Sequence, residues 1–158
     1  MQKLIGRVRA AVEKYQLIEE GDRIAVGVSG GKDSLFLLCA LAELSHYYPK
    51  HFTVTAITAD PCFGGVDTDF SAIQALCDSL SVPYIIRKTN LGPLIFEERK
   101  EENPCSLCAR MRRGILHNLC VEEGFNKLAL GHHFDDAVQT FFMNLFYGGK
   151  LGLSLIHI

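Results

Sequence analysis

Apolar runs of strand length alternate with helix-length segments along the chain. Four short runs have the length and composition of buried strands, at residues 23–28, 52–59, 84–86 and 127–131. None of the connections between them has the two-residue turn of a hairpin. This alternation predicts an α/β fold, a doubly wound parallel sheet with helices on both faces.

Five helices are predicted around these strands, at about residues 1–17, 35–47, 69–80, 105–123 and 135–147. Gly124 directly follows the fourth helix, as expected of a glycine that ends a helix. Residues 89–104 are polar and contain Gly92, Pro93 and Pro104. They predict an irregular surface connection.

The first helix carries its charges away from its apolar positions. Its outer faces bear Lys3, Arg7, Arg9 and Lys14. Two interpretations remain open, a solvated helix face and a contact surface for a polyanion. The predicted organisation is an amphipathic helix at 1–20, an α/β domain at 21–152 and a tail at 153–158.

The tail, Leu153 to Ile158, has no visible relation to the residues before it and matches one reading frame of a common sequencing adapter. We therefore interpret it as non-native, with a short native strand as the alternative. Four strands are predicted, whereas doubly wound sheets usually have about five or more. We therefore expect the domain 21–152 to be incomplete at its C-terminus.

Composition narrows the class of protein. A chain of 158 residues with 48% hydrophobic residues and a mean hydropathy of +0.14 can bury a proper core as one domain. The longest apolar run, 35–42, is far shorter than the roughly 18 residues of a membrane span, and the N-terminus has no signal-like apolar stretch. We expect a cytoplasmic protein without a membrane partner. A net charge of −2 excludes indiscriminate nucleic-acid coating but leaves a local basic face open.

Between the first strand and the second helix lies Ser29-Gly30-Gly31-Lys32-Asp33-Ser34. Adjacent glycines let backbone N–H groups approach a ligand, and the helix N-terminus adds unpaired donors and partial positive charge. With two hydroxyls and a lysine, this set suits a phosphate or pyrophosphate. The spacing differs from that of a P-loop, and the dinucleotide fingerprint Gly-x-Gly-x-x-Gly is absent.

A second motif, Gly131-His132-His133-Phe134-Asp135-Asp136, follows the fourth strand as the first motif follows the first strand. With the expected strand order 3-2-1-4, the two motifs would face one another at a topological switch point, where such sheets bind nucleotides. Asp135 and Asp136 could hold a magnesium ion that bridges phosphate oxygens. Either carboxylate could instead cap the helix.

Cys105 and Cys108 lie three residues apart near a predicted helix start. They can ligate one metal or cluster, and the basic surroundings favour thiolate. A redox pair and a structural role remain open, because zinc needs two further ligands and an iron–sulfur cluster needs three or four cysteines. Cys39, Cys77 and Cys120 are expected to pack in the core, and Cys62 is a weaker redox candidate.

Ser29–Ser34 resembles the signature of the PP-loop ATP pyrophosphatase family, whose fold is similar to that of the adenine nucleotide alpha hydrolases. Its members bind ATP, adenylate a carbonyl-type oxygen and release pyrophosphate. Further likeness lies in Pro104–Ile115, Leu130–Asp136 and Asn144–Lys150. These segments resemble the tRNA 2-thiocytidine biosynthesis (TtcA-like) family, and the likeness runs from about Glu19 to Lys150.

The resemblance implies an ATP-dependent tRNA-cytidine 2-sulfurtransferase. In that family ATP adenylates the C2 oxygen of cytidine 32, and sulfur, handled by a 4Fe-4S cluster on three cysteines, displaces AMP. The first two cysteines match Cys105 and Cys108, and the third lies in a C-terminal region that this chain does not have. Cofactors would be ATP, Mg²⁺ and the cluster. Partners would be tRNA and a sulfur donor such as a cysteine desulfurase, with a homodimer left open.

Roles for the site residues follow from their charge and from this resemblance. Lys32, Asp33 and Asp136 are the expected catalytic residues. Expected ATP-binding residues are Ser29, Gly30, Gly31, Lys32, Asp33, Ser34, Gly131, His132 and Asp135. Asp136 is also the expected magnesium ligand. Arg110, Arg112 and Arg113 would meet tRNA phosphates, or would form only an exposed basic helix.

Two alternatives remain. One is a PP-loop adenylating enzyme that acts on another tRNA nucleotide or on a small substrate, such as a lysidine-type synthetase, although that chemistry needs no Cys-x-x-Cys. The other is an ATP-binding module without turnover. The sequence leaves open which of them applies to the 158 residues.

Overall fold

The computed structural model describes residues 2–63, 68–95 and 104–149, without the side chains of residues 2, 104–106 and 148. The proposed tail at 153–158 lies outside these residues, as does Lys150. In the part of the chain that is described, no helix is long and apolar enough to cross a membrane.

The described residues form a four-stranded sheet in the order β3-β2-β1-β4, with six helical segments between and around the strands. β1 pairs in parallel with both β2 and β4, which confirms the predicted order. The elements in chain order are α1 (Gln2–Lys14), β1 (Asp22–Gly27), α2 (Lys32–Tyr47), β2 (Phe52–Asp60), α3 (Ser71–Ser79), β3 (Tyr84–Lys88), α4 (Leu91–Pro93), α5 (Pro104–Glu123), β4 (Lys127–Leu130) and α6 (Phe134–Gly148).

Two helix boundaries differ from the prediction by three residues. α1 ends at Lys14 instead of about Leu17, and Gln16 has a left-handed φ of 51° that cannot continue a helix. α2 begins at Lys32 instead of Leu35 because Gly31 stands at its N-cap position. The second half of the glycine-rich motif is therefore the first turn of a helix, which strengthens the expected anion site. Gly124 has a left-handed φ of 71°, as predicted for the residue that ends α5.

The prediction of a surface connection at 89–104 is wrong for its described part. Leu91 and Ile95 are buried, and Leu91 opens the short helix α4. The polar composition of the whole stretch masked two apolar residues four positions apart, which one helical turn brings to the same side. Residues 96–103 of this stretch lie outside the described residues.

The chain divides into two compact units. The first comprises the described parts of Met1–Thr58, Asp69–Arg87 and Leu116–Gly131, and the second those of Ala59–Thr68, Lys88–Ile115 and His132–Ile158. In the first unit the central strand β1 is buried along almost its whole length, as both of its faces are covered. Leu38 and Leu44 of α2 are fully buried in the same core.

Cysteines contribute to this core as expected. Cys77 and Cys120 are buried and Cys39 is half-buried. Burial raises the pKa of all three thiols, because the charged thiolate is poorly solvated there. The five cysteines whose side chains are described are all free thiols. Cys77 and Cys120 therefore pack in two apolar clusters of the chain, as predicted, and core packing of Cys39 stays a prediction.

In the second unit, α6 is apolar on its outer face. Phe142, Phe146 and Tyr147 are exposed, and the rings of Phe142 and Phe146 stack with centroids 5.8 Å apart. The helix ends at Gly149, whose left-handed conformation lets its N–H bond to the carbonyl of Asn144. A helix that is apolar around most of its circumference is typical of one that packs on further protein.

A polar network ties the starts of β1 and β4 together in the first unit. The buried carboxylate of Asp22 accepts hydrogen bonds from the backbone of Glu19 at 2.7 Å and from the Asn126 amide at 2.7 Å. It also pairs with the ammonium of Lys127 at 2.7 Å. Burial pushes the pKa of Asp22 up, but these donors together hold the pKa below its ordinary value.

The low pKa of Asp22 predicts acid sensitivity. A depressed folded-state pKa contributes stability above the unfolded-state pKa of 3.8, and this contribution is lost as pH falls through the folded-state value. Asp22→Asn should lower the thermal midpoint at pH 7. It should also make the midpoint decrease less steeply as the pH falls below about 5. Thermal unfolding of both proteins between pH 2.5 and 7 measures this. Parallel pH curves would contradict the assignment.

Candidate functional site

The glycine-rich loop connects the end of β1 to the start of α2. Ser29, Gly30, Gly31 and Lys32 are exposed, and Asp33 is half-buried. Gly30 has a φ of 82°, a conformation that residues with a Cβ rarely adopt. No side chain caps α2, so the N–H groups of its first turn have no side-chain acceptor there. Exposed backbone donors and a lysine therefore converge where the helix dipole is positive.

Ser34 holds this loop in shape from inside. Its hydroxyl is buried and donates to the carbonyl of Gly31 at 2.9 Å. The same oxygen accepts the backbone N–H of Ser29 at 3.2 Å and lies 3.2 Å from the Ser29 hydroxyl. Ser34 is thus the hydrogen-bonding centre of the loop, and Ser29 offers the more exposed hydroxyl.

Two further hydroxyls support the end of β1. Thr58 Oγ1 donates to the carbonyl of Val28 at 2.8 Å, and Tyr84 donates its phenolic proton to Thr58 Oγ1 at 2.9 Å. This chain of bonds holds the residue that directly precedes the loop. Sequence reasoning missed both residues, because they lie on β2 and β3 and only sheet pairing brings them to β1.

Gly131 packs directly on the first turn of α2. A Cβ at Gly131 would lie 2.7 Å from the backbone nitrogen of Ser34 and 2.9 Å from the carbonyl carbon of Asp33. Only glycine fits there, because these neighbours are backbone atoms of a helix. The predicted meeting of the two motifs is therefore confirmed for Gly131. For the residues from His132 onward, which belong to the second unit, it stays a prediction.

Gly131→Ala should destabilise the protein by about 1–3 kcal/mol, since the backbone of α2 must shift to admit the methyl group. Gly6→Ala is the matched control. Nothing lies within 4 Å of a Cβ at Gly6, which is inside α1, so alanine should stabilise by about 0.5–1 kcal/mol. Urea unfolding measures both. Equal effects of the two substitutions would contradict the close approach.

At the start of α6, the two aspartates differ in their surroundings. Asp136 Oδ2 accepts the backbone N–H of His133 at 2.8 Å, and its other oxygen lies 3.5 Å from His133 Nε2. Asp136 thus has the capping role that the sequence left open for one of the two. Asp135 is exposed and His132 is half-buried. The carboxylate more available to a cation is therefore that of Asp135.

The loop after β2 is organised by the buried carboxylate of Asp60. Asp60 Oδ1 accepts the N–H of Cys62 at 3.0 Å and the hydroxyl of Thr68 at 2.9 Å, which joins both ends of the loop. Burial acts to raise the pKa of Asp60, but these hydrogen bonds bring it below its ordinary value. Cys62 is half-buried with a left-handed φ of 49°. Its redox role stays a prediction.

Cys108 is buried in a small apolar cluster of the second unit, with Leu91 and Ile95 as its buried neighbours. Half-buried Leu107, Met111 and Ile115 pack against this cluster. Gly92 fixes α4 beside the loop after β2, since its N–H donates to the carbonyl of Pro61 at 2.7 Å and a Cβ would lie 2.9 Å from that oxygen. Sequence reasoning missed the short helix α4. Its position beside the loop after β2 places apolar side chains around Cys108.

These surroundings fit an iron–sulfur cluster only in part. An apolar shell suits a cluster, yet three cysteines are needed for the ligand set that the resemblance implies. Cys108 is described, and the side chain of Cys105 is outside the described residues. Among the residues with described side chains, no group of three or more His, Cys, Asp or Glu could hold a metal. The ligand set available here is incomplete.

The arginines of α5 have unequal exposure. Arg110 and Arg113 are exposed and Arg112 is half-buried. They follow Cys108 on the same helix, as the sequence predicts. Their contact with tRNA stays a prediction.

A parallel sheet with a glycine-rich turn leading into a helix N-terminus defines a nucleotide-binding α/β protein of the doubly wound class. A family model described as a PP-loop domain matches residues 3–157. The chain therefore belongs to the PP-loop family, as the motif Ser29–Ser34 predicts.

Curated relatives include the tRNA-cytidine(32) 2-sulfurtransferase of Serratia proteamaculans, 42% identical over 153 residues that make up 96% of this chain and 49% of the relative. The enzyme of that name from Syntrophotalea carbinolica is 43% identical over 152 residues, 96% of this chain and 57% of the relative. The chain thus spans about half the length of the curated relatives it matches.

Two solved structures are similar to this fold. The U34-tRNA thiolase NcsA from Methanococcus maripaludis, solved with its [4Fe-4S] cluster, matches with a TM-score of 0.72 and 33% identity, over 84% of this chain and 45% of that one. An NH3-dependent NAD synthetase from Campylobacter jejuni matches with a TM-score of 0.58 and 18% identity, over 87% and 58% of the two chains. The latter likeness concerns the fold alone.

Proposed function

We propose that this chain is the ATP-binding part of an enzyme that adenylates the C2 oxygen of cytidine 32 in tRNA and exchanges that oxygen for sulfur. The observation that carries the proposal is the exposed loop Ser29–Lys32 on the uncapped N-terminus of α2, with the backbone of Gly131 packed beside it. The similarity to tRNA-cytidine(32) 2-sulfurtransferases and to a U34-tRNA thiolase supports the choice of substrate.

In the first step, the C2 oxygen attacks the α-phosphorus of ATP. An O–P bond forms, the bond between the α-phosphorus and its bridging oxygen breaks, and pyrophosphate leaves. The N–H groups of Gly30 and Gly31 and the start of α2 bind the phosphates, and Lys32 neutralises the charge that develops on them. Ser29 binds alongside them, Ser34 keeps the loop in its binding shape, and Asp33 orders it.

In the second step, a hydrosulfide equivalent from a sulfur donor attacks C2. The C2–S bond forms, the C2–O bond breaks, and AMP leaves with the oxygen. An iron–sulfur cluster, when bound, would hold the incoming sulfur, and Cys105 and Cys108 are its proposed ligands on this chain. Arg110, Arg112 and Arg113 bind phosphates of the tRNA near these cysteines.

Lys32→Ala tests the first step. With ATP, Mg²⁺ and a tRNA transcript that has cytidine at position 32, the chain should release pyrophosphate, and the substitution should lower that rate by about 10²–10³-fold. Lys50→Ala is the control, since it removes the same charge at a lysine bonded to the carbonyl of Ile18. ATP binding without tRNA-dependent release would favour an ATP-binding module and contradict the proposal.

The two aspartates of α6 provide a separate test of the magnesium site. We assign the ion to Asp135, because the carboxylate of Asp136 is engaged in the cap. Asp135→Asn should raise the Mg²⁺ concentration needed for half-maximal pyrophosphate release while leaving the thermal midpoint unchanged. Asp136→Ala should cost about 1 kcal/mol of stability, as loss of a cap does. An unchanged Mg²⁺ dependence in Asp135→Asn would exclude it as a ligand.

A further inference from the structure

The helix α1 presents three cations along one line of its exposed surface. Lys3, Arg7 and Lys14 are all exposed, and at 3.6 residues per turn they fall within about 40° of one another around the helix axis. The buried residues of the same helix, Ile5 and Val12, lie on the opposite side. We call Lys3, Arg7 and Lys14 the basic stripe. It extends for about 16 Å along the axis.

We propose that the basic stripe is a docking surface for the phosphate backbone of RNA. The proposal rests on the proposed function, because it names the part of the chain that holds the tRNA away from the reacting base. Lys and Arg side chains bind nucleic acids chiefly through phosphates, and such contacts fix register and orientation without reading sequence.

The distribution of acidic residues on α1 supports this choice. Its one acidic residue, Glu13, pairs with Arg9 at 2.7 Å. Around the helix axis, Glu13 lies about 80–120° and Arg9 about 120–160° from the members of the stripe. No ion pair joins a member of the stripe to a carboxylate within residues 2–63, 68–95 and 104–149. The stripe therefore presents positive charge that the described protein does not neutralise, which complements a polyanion.

An exposed aromatic ring ends the stripe. Tyr15 is 63% exposed, and the ammonium of Lys14 lies 5.1 Å from the centre of its ring. A cation beside an open aromatic face suits a nucleotide, because the phosphate meets the charge and a base or sugar packs on the ring. An acidic peptide would use the charge but not this ring.

The stripe is also held rigidly within the first unit. Val12 belongs to the main apolar core, and Lys127 at the start of β4 donates to the carbonyl of Leu17 at 2.8 Å. A helix fixed in this way presents its cations with little further ordering on binding, which lowers the entropic cost of contact.

Arg7→Gln and Arg9→Gln test the proposal as a matched pair. Both remove one charge from the same helix two residues apart, one from the stripe and one from the pair with Glu13. Binding of a tRNA transcript to the whole 158-residue chain is measured by fluorescence anisotropy between about 50 and 200 mM salt. Arg7→Gln should weaken binding several-fold and reduce the slope of log K against log[salt] by about 0.7–0.9, and Arg9→Gln should change neither.

The triple substitution Lys3→Gln, Arg7→Gln and Lys14→Gln should reduce the slope by about 2–3. All three positions are exposed, so unchanged circular dichroism and thermal midpoint should accompany the loss. Equal weakening by Arg7→Gln and Arg9→Gln would overturn the proposal, because it would reflect net charge alone. Absence of tRNA binding, or binding of the stripe to anionic phosphatidylserine vesicles instead, would also overturn it.

These outcomes are separable from the proposed function. If Arg7→Gln changes the salt slope but no tRNA-dependent pyrophosphate release is measured, the docking surface is supported and the proposed adenylation is contradicted. If pyrophosphate release depends on tRNA but the salt slopes of all variants are equal, the proposed adenylation is supported and the docking surface is contradicted.

Discussion

The site depends on one close contact between backbone segments. The residue after β4 lies against the first turn of α2, so near that a Cβ at Gly131 would come within 3 Å of its backbone. Because β1 and β4 are paired neighbours, the ends of both strands reach the same edge of the sheet. The contact between Gly131 and α2 therefore limits the space in which the loop Ser29–Ser34 can form. Geometry requires glycine at Gly131 because of this close approach, and favours it at Gly30 because of its φ of 82°.

The hydroxyl groups around the loop act as an internal scaffold. Ser34 bonds within the loop, and Tyr84 and Thr58 support the strand end that precedes it. These bonds satisfy backbone groups that would otherwise need water at a half-buried turn. They leave the N–H groups at the start of α2 uncapped for a ligand. The proposed phosphate site is therefore preorganised, so that binding would require little rearrangement of the loop.

In the second unit, α4 and α5 surround Cys108, the proposed cluster ligand. Cys108 is packed among apolar residues of α4 and α5, and α4 is fixed by Gly92 against the loop that Asp60 organises. Cys77 and Cys120 of the first unit are buried as well, and burial raises the pKa of their thiols. Cys108 and the core cysteines thus share apolar surroundings, and the proposed cluster role of Cys108 follows from the resemblance to the TtcA-like family.

The strand order was an expectation of the doubly wound class, which the sheet pairing confirmed. The sequence by itself determined most of the elements and the nature of the first motif. Apolar periodicity and the position of glycines are local properties, and they carry that information directly. Tertiary structure decided which side chains are available. It buried Ser34, engaged Asp136 in a cap and left Asp135 exposed, ordered Leu91 and Ile95 around Cys108, and brought Thr58 and Tyr84 to β1. The Asp136 cap is a local contact, but the sequence did not show which of the two aspartates forms it. The cluster around Cys108 and the bonds of Thr58 and Tyr84 depend on residues far apart in the chain, and local patterns cannot encode such proximity.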